Sequence, residues 1–428
     1  MSSFVRKLLK PVKENTPEST QLWIVHQYAV SPDMPESTRH WELASMLSNR
    51  GWSTTIFATG FNHKKRCYDR SVSVVRPVVN RVEQGVSFVW LYSTSYFDNG
   101  WRRYANMISF LFVSVAVGMV RRSPAIVIGT SPNMLAGLSG WILAKRHRVP
   151  FVLEVQDLWP ESLVQLGLSN TMAIRVLEAL ERFLYRRADH IVVLTEGIRA
   201  GVVAKGTASD KITLISNAAP SPSSVLPEQR RETRQRLGWN GEVIAIWIGA
   251  HGPANCLDVL VDAAKMLENE PIRLVLVGDG VEKPRLQRAA AGMKNITFLD
   301  AVPKSEVSTL LAAADVGVIV HRNTPAVRGA RPNKLFDYMA AGLPILLNLD
   351  GEARGLVEAA GAGLFAEPES PDAIAAGLRT LSANQLLREE MGQRGLANVI
   401  SQHSREARAG DLNVLLTKML PTSPIKQG

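Results

Sequence analysis

The run Arg328-Gly329-Ala330-Arg331-Pro332-Asn333-Lys334-Leu335-Phe336-Asp337-Tyr338-Met339-Ala340-Ala341-Gly342-Leu343-Pro344 carries the sharpest chemistry in the chain. Glycine and proline set a tight turn, a helix begins near Pro332, and its first turn presents free amides with Lys334 beside them. That arrangement is an anion site suited to a diphosphate. Asp337 lies one turn further in, where a carboxylate can accept hydrogen bonds from ribose hydroxyls. A capped surface helix is the plain alternative for any single basic helix start, but the full pattern Pro-x-Lys-x-x-Asp-Tyr-Met-Ala-Ala-Gly-x-Pro is far more specific. A second constellation, Gln156-Asp157-Leu158-Trp159-Pro160-Glu161, follows the apolar run Phe151–Val155. Two carboxylates and a Trp at a strand end can orient a hydroxyl or take its proton, and Asp157 is favoured over Glu161 for that task. The competing reading makes Asp157 a helix N-cap and Glu161 a first-turn acid.

These residues need a scaffold that exposes strand ends and helix starts, and the hydrophobic pattern supplies one. Leu22–His26 is a short apolar run, Thr38 onward shows helical spacing through Trp41, Leu43, Ala44 and Leu47, and Ser53–Thr59 is β-rich. The same order recurs with Ala125–Gly129, a helix from Met134 to Arg146, Phe151–Val155, a helix from Met172 to Arg187, Ile191–Leu194 and Ile212–Ile215. Pro220, Pro222 and Pro227 mark a linker. The alternation then restarts with Val243–Ile248, a helix from Leu257 to Leu267, Arg273–Val277, Ile296–Leu299, Val316–Val320 and Pro344–Leu347. Strands alternating with helices predict an α/β chain of two Rossmann-like parallel-sheet domains facing across a cleft, with ligands at the carboxyl ends of the strands.

The composition narrows the partners. The 428 residues suit two or three domains, each able to bury its own core, and 46% hydrophobic with 21% charged residues are globular values. Cys67 and Cys256 fit no metal-ligand spacing, so a reducing compartment is expected. The basic start around Arg6, Lys7, Lys10 and Lys13 is followed by a polar stretch rather than by an apolar signal segment, which points to the cytoplasm. A net charge of +10 admits nucleic acid, an anionic membrane surface or phosphorylated ligands, besides plain solubility. No nucleic-acid-binding signature is present. The apolar stretch Met107–Val120 is too short to span a bilayer. With Trp101, Arg102, Arg103, Arg121 and Arg122 at its ends, it reads equally as a membrane-surface contact or as a core helix with solvated flanks.

The 328–344 run resembles the donor-binding motif of the family-four retaining glycosyltransferases with the GT-B fold, especially the WbuB-like branch that builds bacterial surface polysaccharides. The resemblance continues through Val25–Tyr28, Thr38–Ala44, Gly129–Pro132, Glu154–Ser162, Glu181–Asp189, Val277–Gly280 and Leu311–Val316. It implies that Lys334 neutralises the donor diphosphate with help from Arg328 and Arg331, and that Asn333 lies at the same helix start. Asp337 resembles the second acid of the family's Glu-x7-Glu pair; the first falls on Gly329. Gly249-Ala250-His251-Gly252 resembles the glycine loop that lets backbone approach the phosphates, with Asn255 where a Lys is often found. His251 is a phosphate or sugar ligand or a bystander, and Gly278-Asp279-Gly280 a nucleotide contact or a plain β–α turn. Val302 falls where the family seats the base. His26, Arg39, Gln156 and Trp159 resemble the acceptor-side wall, Gln156 standing where many members carry His.

The resemblance further implies a metal-independent transfer from a nucleotide-diphosphate sugar, UDP-linked or alternatively GDP-linked, to a lipid-linked or growing surface glycan. No other cofactor is expected. A nucleotide-sugar 2-epimerase and a non-catalytic GT-B binding subunit are the alternatives. The expected organisation is a basic extension (1–20), an acceptor-side domain (21–217), a linker (218–235), a donor-binding domain (236–402) and a C-terminal helix (403–428) returning to the first domain.

Overall fold

Two parallel sheets, each with one reversal of strand order, organise the chain. The structure is a computed structural model that describes residues 20–34, 37–63, 65–97, 100–161, 171–219 and 226–420. The basic residues at positions 6 to 13, Ser162, and positions 220–225 of the expected linker lie outside the described residues. Contacts divide the chain into two units. The first holds Thr38–Ile215, the stretch up to Ser31 and the segment from Arg408; the second holds Pro32–Ser37 and Ser216–Ala407.

In the first unit the strands are β1 (Gln21–Val25), β2 (Ser53–Thr59), β3 (Phe61–Asn62), β4 (Cys67–Tyr68), β5 (Val78–Glu83), β6 (Val86–Leu91), β7 (Ile126–Thr130), β8 (Phe151–Val155), β9 (His190–Val193) and β10 (Ile212–Leu214). The main sheet runs β10-β9-β8-β7-β1-β2-β6-β5, and only β5 is antiparallel. The central strands β1, β2, β7 and β8 are buried on both faces, as their near-continuous apolar runs require. The helices used below are α1 (Arg39–Ser48), α2 (Trp101–Met119) and α3 (Met134–His147). Asn133 caps α3 by accepting from Leu135 N.

The second unit holds β11 (Val243–Ile248), β12 (Ile272–Val277), β13 (Ile296–Leu299), β14 (Val316–Ile319), β15 (Ile345–Leu347) and β16 (Gly363–Phe365), all parallel, in the order β13-β12-β11-β14-β15-β16. That is the doubly wound 3-2-1-4-5-6 order, whose ligand position is the reversal between the first and fourth strands, here β11 and β14. The helix Pro227–Leu237 belongs to this unit: Arg230 and Arg234 pair with Asp315 at 2.6 and 3.0 Å. Helix α4 (Asn333–Ala340) follows β14. Helix α5 (Arg405–Met419) supplies Leu412 and Leu416 to the core around Leu22 and Ile24 of the first unit. Burying each such leucine contributes about 2 kcal/mol.

Candidate functional site

In the second unit the loops after β11 and β12 lie backbone against backbone. His251 N donates to Asp279 O at 2.9 Å and Glu282 N donates to His251 O at 2.9 Å. A Cβ on Gly278 would stand 1.8 Å from Gly249 O, and one on Gly280 2.3 Å from His251 O, so neither position has room for a side chain. Asp279 accepts from Lys283 Nζ at 2.9 Å and from Ala301 N at 3.1 Å, which ties the loop to the turn after β13. Val302, next along, is half-buried against the core. Asn255 donates to Ala250 O at 2.7 Å and braces the first loop.

Tyr338 docks α4 on this edge. Its Oη accepts from Ile248 N at 2.9 Å, and its ring lies against Gly317, where a Cβ would be 2.4 Å from a ring carbon. Lys334, one turn earlier on the same face of the helix, therefore reaches the end of β11. Its Nζ sits 3.8 Å from the Trp247 ring centroid and 3.0 Å from where a Gly249 side chain would begin. The indole face partly offsets the lost hydration. Lys334 forms no ion pair among the described residues, and burial pushes its ammonium down to about 7. His251 is fully buried with neither ring nitrogen hydrogen-bonded, and burial followed by the Lys283 charge brings it down to about 4. His321, just after β14, is also lowered, by burial first and with a contribution from Lys334. Three basic groups whose values burial lowers thus gather at the reversal between β11 and β14, and a bound anion would favour the charged form of each.

The other cations of the motif are committed elsewhere. Arg331 pairs with Glu352 at 2.9 Å, and Arg328 is exposed with Nε donating to Asn323 Oδ1 at 3.4 Å. Asp337 has Oδ2 2.6 Å from Lys304 Nζ and Oδ1 3.8 Å from Arg405, so its carboxylate already balances two cations. Asn333 opens α4, and Gly252 has open space beside it.

In the first unit His26, Arg39 and Gln156 gather around two residues that the sequence reading did not single out, Glu154 and His40. Glu154 Oε2 is 2.6 Å from His40 Nε2, and Oε1 accepts from Arg39 Nε at 3.2 Å. Arg39 also donates to Ile215 O at 2.9 Å. Gln156 Nε2 is 3.3 Å from His40 Nε2, and the His26 ring stands edge-on to that of His40 at 4.3 Å. Tyr28 N donates to His26 Nδ1 at 3.1 Å, which leaves Nε2 to carry the proton of the neutral ring. Burial and then His40 push His26 well below its ordinary value. Burial alone would raise the Glu154 carboxyl, but His40, Arg39 and His26 together outweigh it and hold the group well below the usual carboxylate range. One acid in an otherwise apolar strand was the available signal for Glu154.

Glu154→Gln is expected to destabilise the chain by about 2 kcal/mol at pH 7, because His40 and Arg39 lose a charged partner. The depressed acid stabilises the fold above the ordinary carboxylate value near pH 4.5 and loses that contribution as pH falls below it. The gap between wild type and variant in urea unfolding should accordingly narrow between pH 5 and pH 3. A constant gap would place the stabilisation elsewhere.

Asp157 is half-buried just beyond β8. Trp159 is 7% exposed and packs into the core, so its side chain holds the loop in place. Glu161 is exposed, 3.7 Å from Lys205 Nζ, which also binds both oxygens of buried Glu181 at 2.8 Å. Among the described residues no group of three or more His, Cys, Asp or Glu is placed to hold a metal ion.

Comparison with known proteins bears on both units. The family model for the glycosyl transferase 4-like domain matches residues 37–218, and that for glycosyl transferases group 1 matches residues 229–397. The chain is 27% identical to "Probable glycosyltransferase WbjE" of Pseudomonas aeruginosa, over 62% of this chain and 68% of that protein. It is 25% identical to "Putative colanic acid biosynthesis glycosyl transferase WcaI" of Escherichia coli K12, over 76% of this chain and 85% of the relative. Among solved structures it is similar to HepE of Anabaena in complex with UDP and glucose, with a TM-score of 0.69 and 15% identity over 93% of this chain and 100% of that one. Two doubly wound parallel sheets and matches that between them span most of the chain show that it belongs to the family-four glycosyltransferases of the GT-B fold.

Proposed function

We propose that the chain is a retaining, metal-independent glycosyltransferase of the WbuB-like branch, which moves a hexosyl or N-acetylhexosaminyl group from a nucleotide-diphosphate sugar to a lipid-linked or growing surface glycan. The observation that carries this reading is Lys334, which has no carboxylate partner among the described residues and is held over the paired glycine loops at the reversal of the second sheet. Backbone amides of the Gly249–Gly252 loop and the start of α4 would receive the diphosphate, and Lys334 would stabilise the charge that grows on it as the bond to the sugar breaks. The acceptor oxygen forms the new bond at the same carbon, and its proton passes to the departing phosphate with the nucleotide diphosphate as product. Asp157, or second to it Glu161, would orient the acceptor hydroxyl; His26, with its proton on Nε2, would donate a hydrogen bond to the acceptor. UDP is the first nucleotide to test, since HepE was solved with UDP and glucose, and GDP is the second. The work would take place in the cytoplasm, at the inner face of the membrane that carries the acceptor.

Thermal shifts with UDP, GDP, ADP and TDP, together with nucleotide release from the matching sugar donor, test the reading. At 100 times its dissociation constant the right nucleotide stabilises by about 2.7 kcal/mol. A shift with release of the nucleotide is expected. Binding without release would leave a non-catalytic subunit, and no shift with any of the four would overturn the proposal.

A further inference from the structure

Between Asp98 and Glu154 the chain carries seven Lys and Arg and no Asp or Glu, most of the net charge of +10 in one stretch. That stretch builds α2 and α3, which pack together, and His147 near the end of α3 lies 3.0 Å from Gly118 O at the end of α2. The inner face of α2 is core: Met107, Phe110, Ser114 and Val117 are buried. Its outer face repeats the spacing with Trp101, Tyr104, Ile108, Phe112 and Met119, of which Trp101 is 73% and Phe112 68% exposed. Phe97, just before the helix, is 62% exposed. Polar residues would suffice on a solvated face, so a helix apolar on both sides has a second apolar or interfacial contact to make. Exposed Arg102 flanks one end of the stripe, and exposed Arg122, Lys145, Arg146 and Arg148 gather at the other. Among the described residues no helix is long and apolar enough to cross a membrane.

We infer that the outer face of α2, with the cations at its ends, docks on an anionic lipid bilayer and lies in its interface. Aromatic and aliphatic side chains enter the headgroup boundary, and the arginines and lysines meet anionic headgroups, a pairing an uncharged or cationic partner could not satisfy. The inference extends the reading of a lipid-linked acceptor, but the docking itself requires no acceptor.

The test is co-sedimentation of the full chain with vesicles of phosphatidylcholine alone or mixed with phosphatidylglycerol. Three proteins are compared: wild type, the pair Trp101→Ser with Phe112→Ser, and the pair Arg146→Gln with Arg148→Gln. UDP-induced thermal shifts serve as the check that the variants are folded. Wild type should bind the anionic vesicles and release them as salt rises. The apolar pair should lose about tenfold or more in binding, and each removed cation about fivefold. Wild type that ignores anionic vesicles, or variants that sediment like wild type, would overturn the inference. So would loss of the stripe's exposure to a second copy, seen as a dimer without vesicles that the Trp101→Ser and Phe112→Ser pair dissolves. Turnover on a lipid-linked acceptor without vesicle binding would sink the docking and leave the reaction standing, whereas binding without such turnover would do the reverse.

Discussion

Replacing Lys334 by methionine is expected to lower turnover by about two to three orders of magnitude while raising the heat stability of the ligand-free protein. The first effect follows from position. Among the described residues Lys334 is the motif cation that faces the glycine loops without a carboxylate partner, because Arg331 is paired with Glu352 and Arg328 lies exposed at the end of a short helix. Removing one well-placed group that stabilises charge in the transition state typically costs a hundredfold to a thousandfold. The second effect follows from the sign of the lysine's shift. Its folded value, about 7, lies below the ordinary value near 10.5, so the folded state binds fewer protons than the unfolded chain between those limits and stability rises with pH across them. At pH 7 a charged Lys334 therefore costs stability, and an isosteric apolar side chain relieves that cost, with Tm rising by roughly 2–4 °C for each kcal/mol recovered. A variant that is inactive because it unfolds would show the opposite Tm change, and full activity in a folded variant would remove Lys334 from the reaction.

Gly278→Ala should be the most damaging single methyl group in the second unit. Gly278 has φ +141°, and the added carbon would stand 1.8 Å from Gly249 O. The β12 loop must then move away from the β11 loop, which breaks the seam of backbone hydrogen bonds between them, the edge proposed to receive the diphosphate. We expect a loss of about 3 kcal/mol or more in denaturant unfolding, and loss of the UDP-induced thermal shift even where the variant is still folded. Gly252→Ala is the matched control: its φ is −111° and no atom lies within 4 Å of the added carbon, so its stability should stay near wild type. Equal stability of the two variants would contradict the loop geometry.

Both sheets were legible because parallel strands buried on two faces read as apolar runs. Ser53–Thr59, Phe151–Val155, Val243–Ile248 and Ile296–Leu299 are strands over the same residues that the pattern marks. The hairpin β5–β6 escaped that reading. Its first strand alternates Val with Asn80, Arg81 and Glu83 at the sheet edge, and its turn depends on positive φ at Gln84 and Gly85 rather than on a strong turn dipeptide. The short β16, Gly363–Phe365, lacks the length to show a period.

At the site, residue types were readable and partnerships were not. Arg331, Lys334 and Asp337 belong to one motif, yet Arg331 is taken by Glu352, Asp337 by Lys304, and only Lys334 is left facing the loops. Each outcome depends on a residue tens of positions away brought alongside by the sheet. Glu154 and His40, which organise His26 and Arg39, are 114 positions apart in the chain and meet because β8 and the start of α1 share the carboxyl edge.

Lys334 is the group proposed to receive the donor diphosphate. Calorimetric titration of UDP into wild type and Lys334→Met at pH 6.5 and pH 8.5 tests it most directly. Wild type should bind more weakly at the higher pH relative to the variant, by a factor of about twenty, because the free lysine loses its proton near pH 7 and the diphosphate must restore it. The ratio of the two affinities should therefore collapse as pH rises. Equal UDP affinity for the two proteins at both pH values would contradict the account.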